Sequence, residues 1–255
     1  MSGKIFPERI SSFLQEKLVE LRARFGEKSH QYLGLARQYE KTELEDELVS
    51  ETNLKHYEAE VVAENLQAGC HGHSGMERLY RRSIVIEATM ACVAHCRYCL
   101  RSNYPRFTLS KEELVGIAKF CGNEYNRQFL REVLITGGDP LTIPKRIDFL
   151  VESIMEYAPN IKIFRIASRI PTQDPRKIDE DVFRIFKNKP GARFELATQI
   201  NHPVELSFPE AQTVFKQFLD LGVRVYAQNV LLKGVNDDLP ILIDLYDALR
   251  DANIE

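Results

Sequence analysis

The sequence has almost no excess charge of either sign: 34 Lys+Arg oppose 37 Asp+Glu, for a formal net charge of −3. A basic nucleic-acid binder is thereby excluded as the starting reading. The chain also lacks any run near the roughly 18 apolar residues that a membrane-spanning helix needs, and the stretch MSGKIFPERISS carries no apolar core of a secretory signal. The expected location is the cytoplasm, with neither membrane nor nucleic acid as partner. Glycine (13) and proline (11) are too sparse for a collagenous or low-complexity chain, and 44% hydrophobic with 28% charged residues over 255 positions is a globular composition. The five cysteines are an odd number, and Cys92, Cys96 and Cys99 fall within eight residues. That is a poor disulfide framework and a natural ligand cluster.

Two regions are expected. Residues 1–75 read as helical: Ile10, Phe13, Leu14, Leu18 and Leu21 recur on one helix face, and the Glu-rich run 41–51 is a solvated helix surface. Gly69, Gly72 and Gly75, around Cys70, His71 and His73, then make a loop into the second region, 76–255. There the pattern alternates β-branched runs with amphipathic helices, the signature of βα units on a parallel sheet. Strands are expected at 83–88, 132–136, 161–167, 193–198 and 223–232. Ser110 with Glu113, and Ser207 with Glu210, fit a helix capping box. Three apolar helix faces follow: one on Leu114, Ile117, Ala118 and Cys121, one on Ile147, Leu150, Val151, Ile154 and Met155, and one on Ala211, Val214, Phe215, Phe218 and Leu219. Regular units of this kind predict an α/β barrel or part of one, with reactive groups at the C-terminal strand ends; an open doubly wound sheet is the alternative.

The first expected strand runs into IEATMACVAHCRYCLR, residues 86–101, where three cysteines are spaced C-x-x-x-C-x-x-C. Three thiolates held on one short loop suit three irons of a cubane cluster and leave a fourth iron for a small-molecule ligand. The competing reading is a structural zinc site completed by His95, or by Cys70, His71 and His73. Cys121 sits on an apolar helix face and reads as core, and Cys70 reads as an ordinary loop cysteine. The second strand ends in Gly137, Gly138, Asp139 and Pro140: the glycines let the backbone approach a ligand, and Asp139 offers an acceptor to an ammonium group.

The cysteine spacing with Tyr98 before the last cysteine, followed one strand later by Gly-Gly-Asp-Pro, resembles the radical S-adenosylmethionine (radical SAM) superfamily. The segments 165–171 (RIASRIP), 200–206 (INHPVEL) and 228–237 (QNVLLKGVND) are similar to lysine 2,3-aminomutase and its relatives. The resemblance implies a partial (β/α) barrel of the radical SAM type, a 4Fe-4S cluster on Cys92, Cys96 and Cys99, and S-adenosylmethionine on the remaining iron as source of a 5′-deoxyadenosyl radical. It further implies that Gly137, Gly138, Asp139, Arg169, His202 and Gln228 bind S-adenosylmethionine and that Arg101 grips a substrate carboxylate. An isomerase moving an amino group on a small amino acid, fed by an electron donor such as a flavodoxin or ferredoxin, is the expected activity.

Departures from the family pattern leave the substrate open. Ser102, Asn103 and Tyr104 stand where further arginines are usual, and Thr172-Gln173-Asp174-Pro175 replaces an apolar stretch. The pyridoxal 5′-phosphate lysine and the acidic residues that follow it in aminomutases have no counterpart, and Lys233 beside Gly234 does not supply one. A barrel lacking its last strand would leave an unpaired edge, so a piece of a longer, pyridoxal-phosphate-binding parent is expected. The alternatives are a radical enzyme of another substrate class, or one acting on a protein lysyl residue without pyridoxal phosphate, and a non-catalytic zinc or iron-sulfur protein. The charged N-terminal helices pack either on the barrel or on another subunit, which makes a homo-oligomer one of the expectations.

Overall fold

The computed structural model describes residues 7–41, 75–103, 106–187 and 189–255. Cys70, His71, His73, Tyr104 and nearly all of the Glu-rich run lie outside the described residues. One six-stranded sheet organises the chain, in the spatial order β1 Met76–Tyr80, β2 Ser83–Thr89, β3 Glu132–Gly137, β4 Ile163–Ala167, β5 Arg193–Thr198 and β6 Arg224–Ala227. From β2 to β6 every neighbour is parallel, with Ile84 opposite Val133, Ile135 opposite Ile166 and Leu196 opposite Val225. Strand order follows chain order without reversal, so there is no switch point and the sheet is a partial β/α barrel, not a doubly wound one.

The outer layer is made of α3 Lys111–Cys121, α5 Pro144–Tyr157, α7 Glu180–Phe186 and α8 Pro209–Asp220, joined by the short α4 Glu124–Phe129 and α6 Ile170–Gln173 and by α9 Leu239–Asp251. The three expected stripes, on α3, α5 and α8, are buried in the hydrophobic core except that Met155 and Leu219 are partly exposed; Ile147, Leu150, Val151 and Ile154 of α5 share it with Phe164, Ile166 and Leu196 of the strands. Phe164 and Phe194 stack at 5.4 Å and Phe186 meets Phe218 edge-on at 5.1 Å, within the range of favourable ring pairs. The described N-terminal helices, α1 Ser12–Phe25 and α2 His30–Tyr39, share this core through Phe13, Leu14, Leu18, Leu21 and Leu35.

Three local expectations are corrected. The sheet has a strand that sequence reading leaves out: β1 folds back on β2 as an antiparallel hairpin, with Met76 opposite Ile86 and Tyr80 opposite Ser83. The last strand stops at Ala227, because Asn236 ties the chain into a loop by accepting from Leu232 N at 2.7 Å and donating to Val230 O at 2.9 Å. Beyond α9 the backbone of Glu255 pairs with Val225 and Ala227 and so covers that part of the β6 edge. The Ser110 capping box forms, but the Ser207 box does not. Pro209 forces the preceding residue out of helical space, so Phe208 (φ −79°, ψ 120°) is the cap, Ser207 donates to Val204 O, and Glu210 pairs with Lys17 at 3.1 Å.

Candidate active site

The parallel strands deliver their C-terminal ends to one mouth, and the cysteine loop leaves β2 across it. Main-chain bonds fix the loop: Met90 N donates to Phe107 O, His95 N to Arg9 O, and Arg97 N to Gln38 O at 2.8–2.9 Å. Asp139 N donates to Ala91 O at 2.7 Å and Gly138 N to Thr89 O at 2.6 Å, which stitches the end of β3 to the loop. The two glycines are needed for this approach. A Cβ on Gly137, whose φ is +121°, would lie 2.2 Å from Thr89 O, and one on Gly138 would lie 2.5 Å from Ala91 O. Their freedom is used in this close approach to the cysteine loop.

A cavity of about 380 Å³ opens at this mouth. Cys92, Cys96 and Cys99 line it together with Arg101, Gly137, Gly138, Asp139, Arg169 and Gln228, so nine of the ten expected site residues meet at one place. Ala167 and Ala197, opposite each other on β4 and β5, also line it, and their small side chains leave it room. All three thiols are half-buried and free of disulfides. Burial, reinforced by Asp139 and the other two cysteines, pushes the Cys92 thiol up. Among the described residues no three His, Cys, Asp or Glu side chains close on one point as ligands of a single ion do. Three separate thiols at one mouth suit a cubane, which takes one thiolate per iron, better than one tetrahedral ion. His95 is turned to the protein, its Nδ1 2.7 Å from Pro7 O.

Arg169 sits at the centre of a buried polar network that crosses the whole N-terminal side of the site. Its Nε donates to Gln199 O at 3.2 Å, Nη1 to Cys96 Sγ at 2.9 Å and to Tyr98 Oη, and Nη2 to Gln38 Oε1 at 3.0 Å and Glu205 Oε2 at 2.9 Å. Five donor contacts match the five N–H groups of a guanidinium, so its fork is engaged by the protein. Burial alone would lower its pKa, but Cys96, Tyr39, Tyr98 and Glu205 hold it above the ordinary value. Asn201 Nδ2 reaches both Tyr98 Oη at 2.6 Å and Gln38 Oε1 at 3.1 Å.

Asp139 is likewise engaged from within. Its carboxylate accepts from Ser168 Oγ, Arg169 N, Ile170 N and Leu141 N at 2.8–3.3 Å. Burial pushes its pKa up to about 6 against the pull of these donors. Arg101 stands on the concave face, where its Nε bonds Glu87 Oε1, a residue only 4% exposed that sequence reading passes over. Gln228 is fixed by its N–H on Thr198 O at 2.7 Å.

His202 is the expected site residue that the fold does not bring to the cavity. It is fully buried on the far side, where Nδ1 caps the turn Pro203–Leu206 by accepting from Val204 N at 3.1 Å and the ring lies 5.5 Å from His30. The ring rests on α2 where Gly34 has no side chain: a Cβ there would lie 2.3 Å from Cδ2 and 2.5 Å from Nε2 of His202. In an ordinary helix Gly→Ala gains up to about 1 kcal/mol. Gly34→Ala is expected instead to destabilise the chain by about 1–3 kcal/mol through overpacking, as read by urea denaturation; a gain in stability would show the ring free to move.

The family model described as the Radical SAM superfamily matches residues 86–245, from β2 into α9. The L-lysine 2,3-aminomutase of Buchnera aphidicola subsp. Baizongia pistaciae is 31% identical over 183 residues, 71% of this chain and 52% of that protein. The L-lysine 2,3-aminomutases of Escherichia coli (30% over 193 residues, 71% and 52%) and Clostridium subterminale (28% over 176 residues, 69% and 41%) are also similar. The chain thus spans about half the length of the curated relatives it matches.

Proposed function

The chain belongs to the radical SAM superfamily, and from that premise we propose that it holds a 4Fe-4S cluster on Cys92, Cys96 and Cys99 and binds S-adenosylmethionine at the same mouth. The observation that carries this reading is the three thiols gathered on one cavity at the C-terminal ends of the parallel strands. When bound, the cluster and S-adenosylmethionine supply a hydrogen-abstracting radical. The chain's own residues position and shield. Asp139 and its four donors clamp the start of α6 to β3, so Arg169 is set behind Cys96. The Gly137–Gly138 backbone fixes the loop that carries the thiols, and Arg101, oriented by Glu87, presents the fork that suits a substrate carboxylate.

The overall reaction proposed is amino migration between adjacent carbons of a small amino acid, as the names of the similar proteins suggest. Pyridoxal phosphate belongs to that reading, but no lysine lines the cavity among the described residues, and no step here depends on it. The electron comes from a small redox protein of the flavodoxin or ferredoxin kind.

Anaerobic reconstitution with iron and sulfide, followed by EPR of the reduced protein, tests the proposal. About four irons and four sulfides per chain, with a signal that shifts on adding S-adenosylmethionine, are expected. One zinc with neither iron nor sulfide would overturn it in favour of the zinc protein.

A further inference from the structure

The segment Thr172-Gln173-Asp174, set apart in the sequence as a departure, forms the end of α6 and turns its polar side chain to the cysteine loop. Gln173 is 2% exposed, and its side chain lies between the Tyr39 hydroxyl and the cysteine loop, with Nε2 3.3 Å from Cys96 Sγ. The main chain of Gln173 is held on both sides: its N–H donates to Arg169 O at 2.8 Å, and its carbonyl oxygen accepts from the Ser11 hydroxyl before α1. Arg169 Nη1 reaches the same sulfur at 2.9 Å. One thiol therefore receives two side-chain N–H groups from a single turn of helix, and that turn is fixed by Asp139 at its start and by Ser11 at its end.

We propose that Gln173, together with Arg169, sets the reduction potential of the iron-sulfur cluster by donating N–H to the Cys96 sulfur. This rests on the cluster reading above. Reduction adds one electron from an external low-potential one-electron donor and neither makes nor breaks a bond. The added negative charge is shared with the ligating sulfurs, so a donor aimed at one of them favours the reduced state over the oxidised one. Hydrogen bonds to the sulfurs are among the principal settings of such potentials. Gln173 is a positioning residue in this role: it acts through Cys96 and has no need to touch substrate. Arg169 is bound to Glu205 and Gln38 as well, so its replacement would confound electrostatics with folding. Gln173 isolates the effect.

The test uses the full chain as wild type, Gln173→Met and Gln173→Glu, reconstituted with iron and sulfide and titrated by EPR against potential without S-adenosylmethionine. Methionine keeps the length and removes the donor. At a fixed potential its ratio of reduced to oxidised cluster is expected to fall about tenfold, which is 59 mV for one electron. Glutamate keeps the shape and puts a carboxylate beside the sulfur, and its ratio is expected to fall at least as far. Should Gln173→Met assemble no cluster, Gln173→Glu decides by the same titration. Variants that hold the full cluster and titrate with the wild type would overturn the proposal while leaving the cluster reading intact. A wild type that binds no iron and sulfide would overturn both, and the metal count tells the two failures apart.

Discussion

Arg169→Met is expected to lower the stability of the chain by about 3–5 kcal/mol, the cost of leaving one partner of a buried ion pair uncompensated. The pair with Glu205 is almost wholly out of water, with side-chain exposures of 9% and 1%. Removing the guanidinium strips donors from Glu205, Gln38, Gln199, Tyr98 and Cys96 together. The charge on Glu205 is the dominant part of the cost, because an isolated carboxylate is far more expensive to bury than an amide. Glu205 keeps other duties, since its Oε1 accepts from Asn201 N at 2.8 Å, His202 N at 3.1 Å and Gln38 Nε2 at 3.1 Å. Glu205→Gln retains an acceptor for these and removes the charge. The double variant is accordingly expected to recover stability, to within about 1–3 kcal/mol of wild type, the residue being the acceptors left without a donor. Urea denaturation of the four proteins in a double-mutant cycle reads both numbers. Strictly additive costs would mean that the two side chains are not coupled as the geometry has them.

The same network marks where sequence reading stops. The strands, the outer helices and the cysteine loop are legible because each is written in neighbouring residues: a period of two or 3.6, a capping pair, a fixed cysteine spacing. Strand β1 is not, since Glu77 and Arg78 break the apolar alternation that announces a strand, and only pairing with β2 makes one. The Ser207 box fails for a local reason that the sequence does contain, namely Pro209 and its effect on Phe208.

The site divides in the same way. Cys92, Cys96 and Cys99 are found by their spacing, Gly137, Gly138 and Arg101 through the family resemblance, and the fold gathers all six. Gln38 has no signal at all: it lies in a polar, amphipathic helix whose partner residues are 131 and 167 positions away, yet it is completely buried. Asp139 is found for its chemistry and Arg169 through the family resemblance; both line the cavity, and both are also tied into the protein by hydrogen bonds across elements. A motif fixes which residues surround a site; which of them face the ligand and which support the wall is decided by contacts across elements that no local pattern encodes.

His202, placed behind the wall, gives the chain a pH-dependent stability. Burial first, and then the neighbouring His30, lower its pKa from the ordinary 6.5 to about 4. The unfolded chain binds a proton at this position more readily than the folded one. The stability it contributes is therefore fully present above pH 6.5 and lost as pH falls toward about 4, which at about 1.4 kcal/mol per tenfold amounts to about 3 kcal/mol. Asp139 works in the opposite sense over the same window. Its folded pKa of about 6 lies above the unfolded 3.8, so its contribution is present at low pH and lost as pH rises through 6. The wild-type pH profile alone would hide one behind the other. His202→Asn separates them, because asparagine can still cap Val204 through its side-chain oxygen and does not titrate. The excess stability of wild type over His202→Asn is expected to shrink by about 3 kcal/mol between pH 7.5 and pH 4, measured by denaturant unfolding at each pH. Parallel profiles for the two proteins would mean that the His202 ring takes up its proton without leaving the folded state.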